Sequence, residues 1–279
     1  MPDAGLVVVV GNVVLDRTAE GWIPGGPALY AATMARHLGA SVRLVTALAP
    51  DYPRKPLEGL ELVAQPAART PRYANSYDAE GRRRQVLLDA GEPLRVPAEA
   101  VAGASVLIVA PAYRELEAPP AALPFGIVAG ASLQGLLRDT SPDGTVVPRA
   151  EPEAAVRAFA RDGWFLFLSE EDTPDALVFA RRLARGGAVV FVTHGWRGAA
   201  RVDASATRTY PAIPARQVVD PTGAGDCFAA AFLVTFARTR DEGAAIRAAL
   251  AAGSLSVEGR GVEGVPDAAA VEERLREAA

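Results

Sequence analysis

Short, continuous apolar runs alternate with stretches of helical spacing along this chain. Leu6–Val10 reads LVVVV and ends in Gly11, the pattern of a strand buried on both faces. Pro27–Leu38 has helical spacing, with proline near its start and Gly39 just past its end. Ser41–Ala47 predicts a second strand, and Val106–Ala110, Phe125–Ala129, Phe165–Leu168 and Ala188–Val192 predict further buried ones. Helical stretches lie between them, notably Glu153–Arg161 and Pro174–Arg185. Strands alternating with helices predict an α/β fold: a doubly wound, mainly parallel sheet with helices on both faces, which binds ligands at the C-terminal ends of its strands. Residues 1–279 read as one such domain, because periodic segments resume directly after the Pro-rich stretches Ala118–Pro124 and Ser141–Pro152.

One region departs from this pattern. Arg72–Tyr77 and Arg83–Leu88 are β-prone runs joined by a hairpin signal, DAEG. With Glu20–Ile23 they form either a small lid sheet, with strands near 19–24 and 72–88, or an edge hairpin of the main sheet.

Composition narrows the chemistry. Half the residues are hydrophobic and 22% charged, enough to bury a large core, and a net charge of −4 argues against a nucleic-acid partner. No apolar run approaches the ~20 residues of a membrane span. With no basic segment ahead of a leader-like apolar run, the expected location is the cytoplasm. Lys55 is the only lysine and lies in DYPRKPL, which excludes a Walker A loop and the strand lysine of a protein kinase. One cysteine and two separated histidines, His37 and His194, leave no zinc motif. GNVVLD after the first strand lacks the glycines of a dinucleotide-binding turn. Carboxylates, backbone amides and arginines are left to do the work.

The segment Val218–Leu233, VVDPTGAGDCFAAAFL, concentrates those groups. Val218–Val219 reads as a strand end, Pro221 stops it, and helical spacing begins at Ala224, with Phe228, Phe232 and Phe236 on one stripe. A helix start presents unpaired N–H groups and partial positive charge, so Gly223, Ala224 and Gly225 make a candidate anion hole. Asp226, in the first turn, can accept a proton from a hydroxyl attacking a phosphate bound there. An acid at that position also suits the helix dipole with no catalysis involved.

The string Asp220–Phe228 resembles the C-terminal signature of the ribokinase-like (PfkB) carbohydrate kinases, with Pro221 where a threonine is usual. Other segments fall in the family's order: Gly11–Asp16, Gly25–Gly26 with the following helix, the turn Thr193–Gly198, and Ala251–Pro266. The resemblance implies the ribokinase-like fold with a β lid, ATP and Mg²⁺, and in cation-dependent members K⁺. It assigns Asp226 as catalytic base and Gly223, Ala224 and Gly225 as anion hole. Asp16, Gly25 and Gly26 become acceptor contacts, and Ser169, Thr193, Gly195, Gly198 and Gly225 nucleotide contacts. Asp220 and Gly261 become monovalent-cation ligands. Ser169 and Asp172 keep the spacing of the family's Asn-x-x-Glu motif with altered residues, which leaves Asp172 near Mg²⁺. Tyr30 stands where the family usually carries an asparagine.

Gln134–Arg138 is similar to a Gln-Gly-x-x-Arg stretch in members acting on polyols, including myo-inositol kinases; Gln134 and Arg138, with Asn75 on the hairpin, complete the acceptor candidates. The implied activity is phosphoryl transfer from ATP to a small sugar or polyol. A nucleoside or sugar phosphate is the alternative acceptor, and a non-catalytic ligand sensor the alternative role. A homodimer through the lid is also implied.

Overall fold

The structure is a computed structural model that describes residues 4–18, 21–77 and 83–278. The chain opens with β1 (Leu6–Val10) and passes through β2 (Val14–Thr18) and β3 (Gly21–Gly25) to helix α1 (Pro27–His37). β4 (Ser41–Leu48), β5 (Glu61–Pro66), β6 (Arg72–Tyr77), β7 (Arg83–Asp89), β8 (Ala104–Val109) and β9 (Val128–Ser132) follow. A short hairpin, β10 (Arg138–Thr140) and β11 (Val146–Pro148), precedes α2 (Pro152–Val156), β12 (Trp164–Ser169), α3 (Ala176–Ala184) and β13 (Val189–Thr193). The chain continues with β14 (Ala199–Val202), β15 (Thr207–Tyr210), α4 (Ala224–Thr239), α5 (Glu242–Ser256) and α6 (Ala268–Glu277).

The main sheet runs β15-β14-β13-β12-β9-β8-β1-β4-β5. All of its pairings are parallel except those of β14 with β13 and β15. Successive residues serve opposite faces, as the pleat requires. Val7, Val9, Leu44, Ile108 and Phe167 pack under α1, α4 and α5, whereas Val8, Val10, Leu107, Leu166 and Val190 pack against α3 and Phe159. Both faces are therefore covered, as the valine-rich runs require.

β2, β3, β6 and β7 form a separate four-stranded sheet in the order β3-β2-β6-β7, so the hairpin belongs to a lid sheet and not to an edge of the main sheet. Glu20 and the linking residues 78–82 fall outside the described residues. Register fixes the lid's polar face. Asp16 pairs with Tyr73, and Asn75 with Gln85, so these side chains share one side.

Several sequence expectations shift. The strand expected at Phe125–Ala129 begins at Val128, because Gly126 turns at φ 74° and leaves Phe125 fully exposed. The helix expected over Glu153–Arg161 is regular only through Val156. Val218 and Val219 are exposed and belong to no strand; Val219 N and Asp220 N instead both donate to Val257 O, at 2.7 and 3.2 Å. The segment ahead of α4 is thus irregular backbone leaning on the end of α5. β5, β10, β11, β14 and β15 are short or edge strands without a long apolar run, and the sequence pattern does not mark them.

Helix α4 carries the Phe228–Phe232–Phe236 stripe onto the sheet. Phe232 meets Phe191 at 4.6 Å and Phe165 at 4.9 Å between ring centroids, with Phe236 5.0 Å from Phe165. Gly130 permits the close approach: a Cβ there would lie 2.8 Å from Leu233 Cδ1 and 2.9 Å from Phe165 O. This contact sets the start of α4 beside the C-terminal ends of β9 and β12. Phe232→Ala is expected to cost about 3–5 kcal/mol through the cavity left in this cluster, read as a lowered urea midpoint with the slope unchanged.

Candidate active site

Helix α4 starts without a side-chain cap. Its N-cap is Gly223, at φ 81°, and Asp226 is the acid of its first turn. Gly223 has two reasons to be glycine: its left-handed backbone and the ring of Tyr30, which lies against its Cα where a Cβ would clash. Gly225 faces open space. The helix thus starts without a capping side chain, with open space at Gly225.

Asp226 is partly sheltered, and its pKa is pushed up to about 7. Burial is the main cause; a hydrogen bond with Ser132 and the charge of Arg138 pull it down, and Asp172 pushes it further up. Ser132, at the end of β9, and Arg138, at the start of β10, therefore sit with Asp226 and Asp172 in one place. The guanidinium of Arg138 lies 5.9 Å from the Tyr73 ring centre, which brings it beneath the lid. Gln134 is half-buried in the turn between Ser132 and Arg138.

On the lid, Asn75 Nδ2 donates to Asp16 Oδ1 at 3.1 Å and Gln85 Nε2 donates to Asn75 Oδ1 at 2.8 Å. The relay fixes the orientation of the Asn75 amide. Asp16 is buried, with Oδ2 turned onto Gly25, where any side chain would collide with it. Gly26 is the N-cap of α1 at φ 97°. Tyr30, on α1, closes the space between the two halves. Its ring touches Gly223 and approaches Gly25, and burial together with Asp220, Asp16 and Asp226 raises its pKa, so the phenol stays protonated. Tyr52 and Tyr73 are likewise buried and feel Asp16. Helical spacing places Tyr30 in the core, but sequence reasoning treats it only as a departure and misses its position at the centre of the site. It also misses Ser132 and Gln85. Strand alternation from Asn75 across the hairpin was the available signal for Gln85.

The remaining candidates gather at the ends of β12 and β13. Ser169 N donates to Asp172 Oδ2 at 2.7 Å, and Glu171 N donates to Ser169 Oγ at 3.2 Å, so Ser169 and Asp172 form a compact turn. Thr193 O accepts from Glu170 N at 3.0 Å. Gly195 and Gly198, both at positive φ, shape the next turn, and the backbone of Tyr210 presses on Gly198. His194 Nδ1 lies 3.0 Å from Glu170 Oε2, which Arg197 also pairs with. Beside them is a cleft of about 560 Å³ lined by Leu177, His194, Arg197 and Tyr210. Asp220 Oδ1 accepts from Thr222 N at 3.0 Å and its Oδ2 from Gly261 N at 3.2 Å, so the two expected cation ligands are joined directly. Cys227 is buried in the core, its thiol pushed up by burial. His37 Nδ1 sits 3.1 Å from Val265 O at the end of α1.

The chain also resembles known proteins. The profile described as pfkB family carbohydrate kinase matches residues 132–268, which include Ser132, Arg138, Asp172 and the whole Asp220–Phe228 signature. Over those residues the chain matches the pfkB family of carbohydrate kinases, as the signature implied. Its large, mostly parallel sheet with helices matches that of ribokinase-fold neighbours. Among curated relatives, the cytidine kinase of Thermococcus kodakarensis is 29% identical over 264 residues, covering 84% of this chain and 89% of that protein. The ribokinase of Arabidopsis thaliana, solved with ribose and ATP, aligns at a TM-score of 0.72 and 20% identity over 97% of this chain and 98% of that one. A pyrophosphate-dependent ribokinase-family kinase, solved with a pyrophosphate analogue and myo-inositol, aligns at 0.70 and 19% identity over 92% and 98%. The proteins it resembles are thus kinases with acceptors of several kinds.

Two outcomes follow from this geometry. Gly223→Ala is expected to cost at least the ~1–3 kcal/mol of a non-glycine residue in the left-handed region, while Gly225→Ala leaves stability nearly unchanged; thermal denaturation of both separates them. Asp226, whose pKa in the fold lies above its ordinary 3.8, holds a proton that the unfolded chain releases, so its ionisation erodes stability as pH rises from about 4 to 7. Asp226→Asn is therefore expected to raise the thermal midpoint at pH 8, with the gain vanishing by pH 4.

Proposed function

We propose that this protein is an ATP-dependent kinase transferring the γ-phosphate to a hydroxyl of a small sugar or polyol, with a myo-inositol-like or free-sugar acceptor favoured. The observation that carries the reading is Asp226: a carboxylate with a pKa near neutrality, beside an uncapped glycine helix start and beneath a polar lid face.

In this reading Asp16, Asn75 and Gln85 hold acceptor hydroxyls, and Gly25 and Gly26 leave room for the ring. Asp226 accepts the proton of the attacking hydroxyl as its oxygen bonds to phosphorus and the bond to the departing phosphate oxygen breaks. Phosphoryl transfer needs only a weak base, because that proton leaves late. The N–H groups at Gly223, Ala224 and Gly225 receive the equatorial oxygens, and Arg138 balances their charge. The turns at Ser169, Thr193, Gly195 and Gly198 take the nucleotide. Asp172, which faces Asp226, would be the carboxylate nearest Mg²⁺. Mg²⁺ supplies charge neutralisation on the donor phosphates. K⁺, where used, would brace the same loop that Asp220 and Gly261 join. The reaction is placed in the cytoplasm, where ATP is supplied. A homodimer would form through the lid, on which Trp22 and Leu88 are exposed. Among the described residues no helix is long and apolar enough to cross a membrane.

A nucleoside acceptor is the second reading, favoured by the cytidine kinase relative. Product formation with myo-inositol, D-ribose and cytidine, each with ATP and with pyrophosphate, decides between them. Absence of transfer to all three from either donor would leave the site to a ligand sensor. Asp226→Asn is expected to lose about 10²–10⁴-fold in kcat. The wild-type kcat/KM should rise with pH through about 7, as the base loses its proton, and that inflection should vanish in the variant. A variant retaining both the rate and the inflection removes Asp226 from the chemistry.

A further inference from the structure

Glu115 is a buried carboxylate with no part in the chemistry above. Its Oε1 accepts the backbone N–H groups of Asn12 and Ala112, and its Oε2 that of Tyr113, each at 2.8 Å. Burial raises its pKa, and these N–H groups oppose the shift. Four chain passages join the main sheet and its helices to the lid: β1 to β2, β3 to α1, β5 to β6, and β7 to β8. Two of them are tied to this carboxylate or to its first partner, Asn12, and a third is tied to them through Glu92. Asn12 lies in the first passage, and its Nδ2 donates to Glu92 O in the last at 3.1 Å. Leu94 N in that last passage donates to Glu115 O at 2.9 Å. Glu92 Oε1 in turn accepts Ala68 N of the β5–β6 passage at 2.8 Å. Asn12 Oδ1 anchors the set to the main sheet by accepting Ala47 N at 3.0 Å.

The loop that Glu115 organises also touches both halves of the acceptor region. Tyr73 on the lid donates to Ala112 O at 2.9 Å, and Arg114 N donates to Gly135 O at 3.0 Å. Gly135 packs directly on the backbone of Pro111 and Ala112, which admits no side chain.

We propose that Glu115 is a positioning residue that sets the Asp16–Asn75–Gln85 face of the lid against the Gln134–Arg138 segment, and thereby fixes where the acceptor is held. The proposal rests on the kinase reading only for what the lid holds; the placement of the lid is independent of it. A glutamine at this position keeps one acceptor oxygen and turns an NH₂ group toward an N–H donor, so at least one tie is lost at almost constant volume.

The test is hydrogen exchange by mass spectrometry on wild type and Glu115→Gln without ligand. Amides in 14–18, 72–77 and 83–89 are expected to exchange about tenfold faster, with 128–132 and 164–169 unchanged. Uniform acceleration, or none, overturns the proposal. Steady-state kinetics supply the second readout. For whichever of myo-inositol, D-ribose and cytidine the wild type phosphorylates, KM is expected to rise about tenfold while KM for ATP stays constant; equal changes in both overturn the proposal. If Glu115→Gln does not fold, Tyr73→Phe removes the lid's tether to the same loop and is judged by the same exchange pattern. A wild type that phosphorylates none of the three defeats the kinase reading, and the exchange pattern still decides the role of Glu115.

Discussion

The close seat of α4 on the sheet is the contact from which the site follows. Gly130 lets Leu233 and the phenylalanine stripe descend onto β9 and β12, and the sheet's depth at that point decides where the helix begins. A side chain at 130 would lift the helix, withdrawing Asp226 from Ser132 and the first-turn amides from the strand ends. An apolar packing constraint deep in the core thus governs an electrostatic arrangement at the surface.

That arrangement opposes two demands on one carboxylate. The helix start and Arg138 favour a charged Asp226; burial and the neighbouring Asp172 resist it. The balance falls near neutrality, where an acid can both give and take a proton. The Glu170–His194–Arg197 cluster shows the alternative outcome: a carboxylate closely surrounded by donors and committed to holding a turn.

Much of this was legible in the chain. Valine runs flanked by helical spacing marked the central strands because those strands are buried on both faces, and the DAEG signal marked a hairpin while leaving its sheet, lid or main-sheet edge, open. The Asp220–Phe228 string located the helix start to the residue. What escaped had physical reasons. β15 is a short, polar edge strand and β14 beside it spans only four residues, so no apolar run marks them. Val218 and Val219 mimic a strand but are exposed and hydrogen-bonded to the end of α5, a long-range contact no local pattern carries. Ser132, Tyr30 and Gln85 join the site only through the crossing of β9, α1 and β7, and Glu115 binds amides 103 positions away and adjacent alike.

The contact between Tyr30 and Gly223 has a practical corollary for redesign. One ring lies near Gly25, on which Asp16 rests, and against Gly223 at the helix start. On the proposed reading, reshaping the pocket there to admit a different molecule would also release the loop assigned to cradle the migrating group. On that reading selectivity and turnover would share a single side chain, and an engineer would have to alter positions 30 and 223 together.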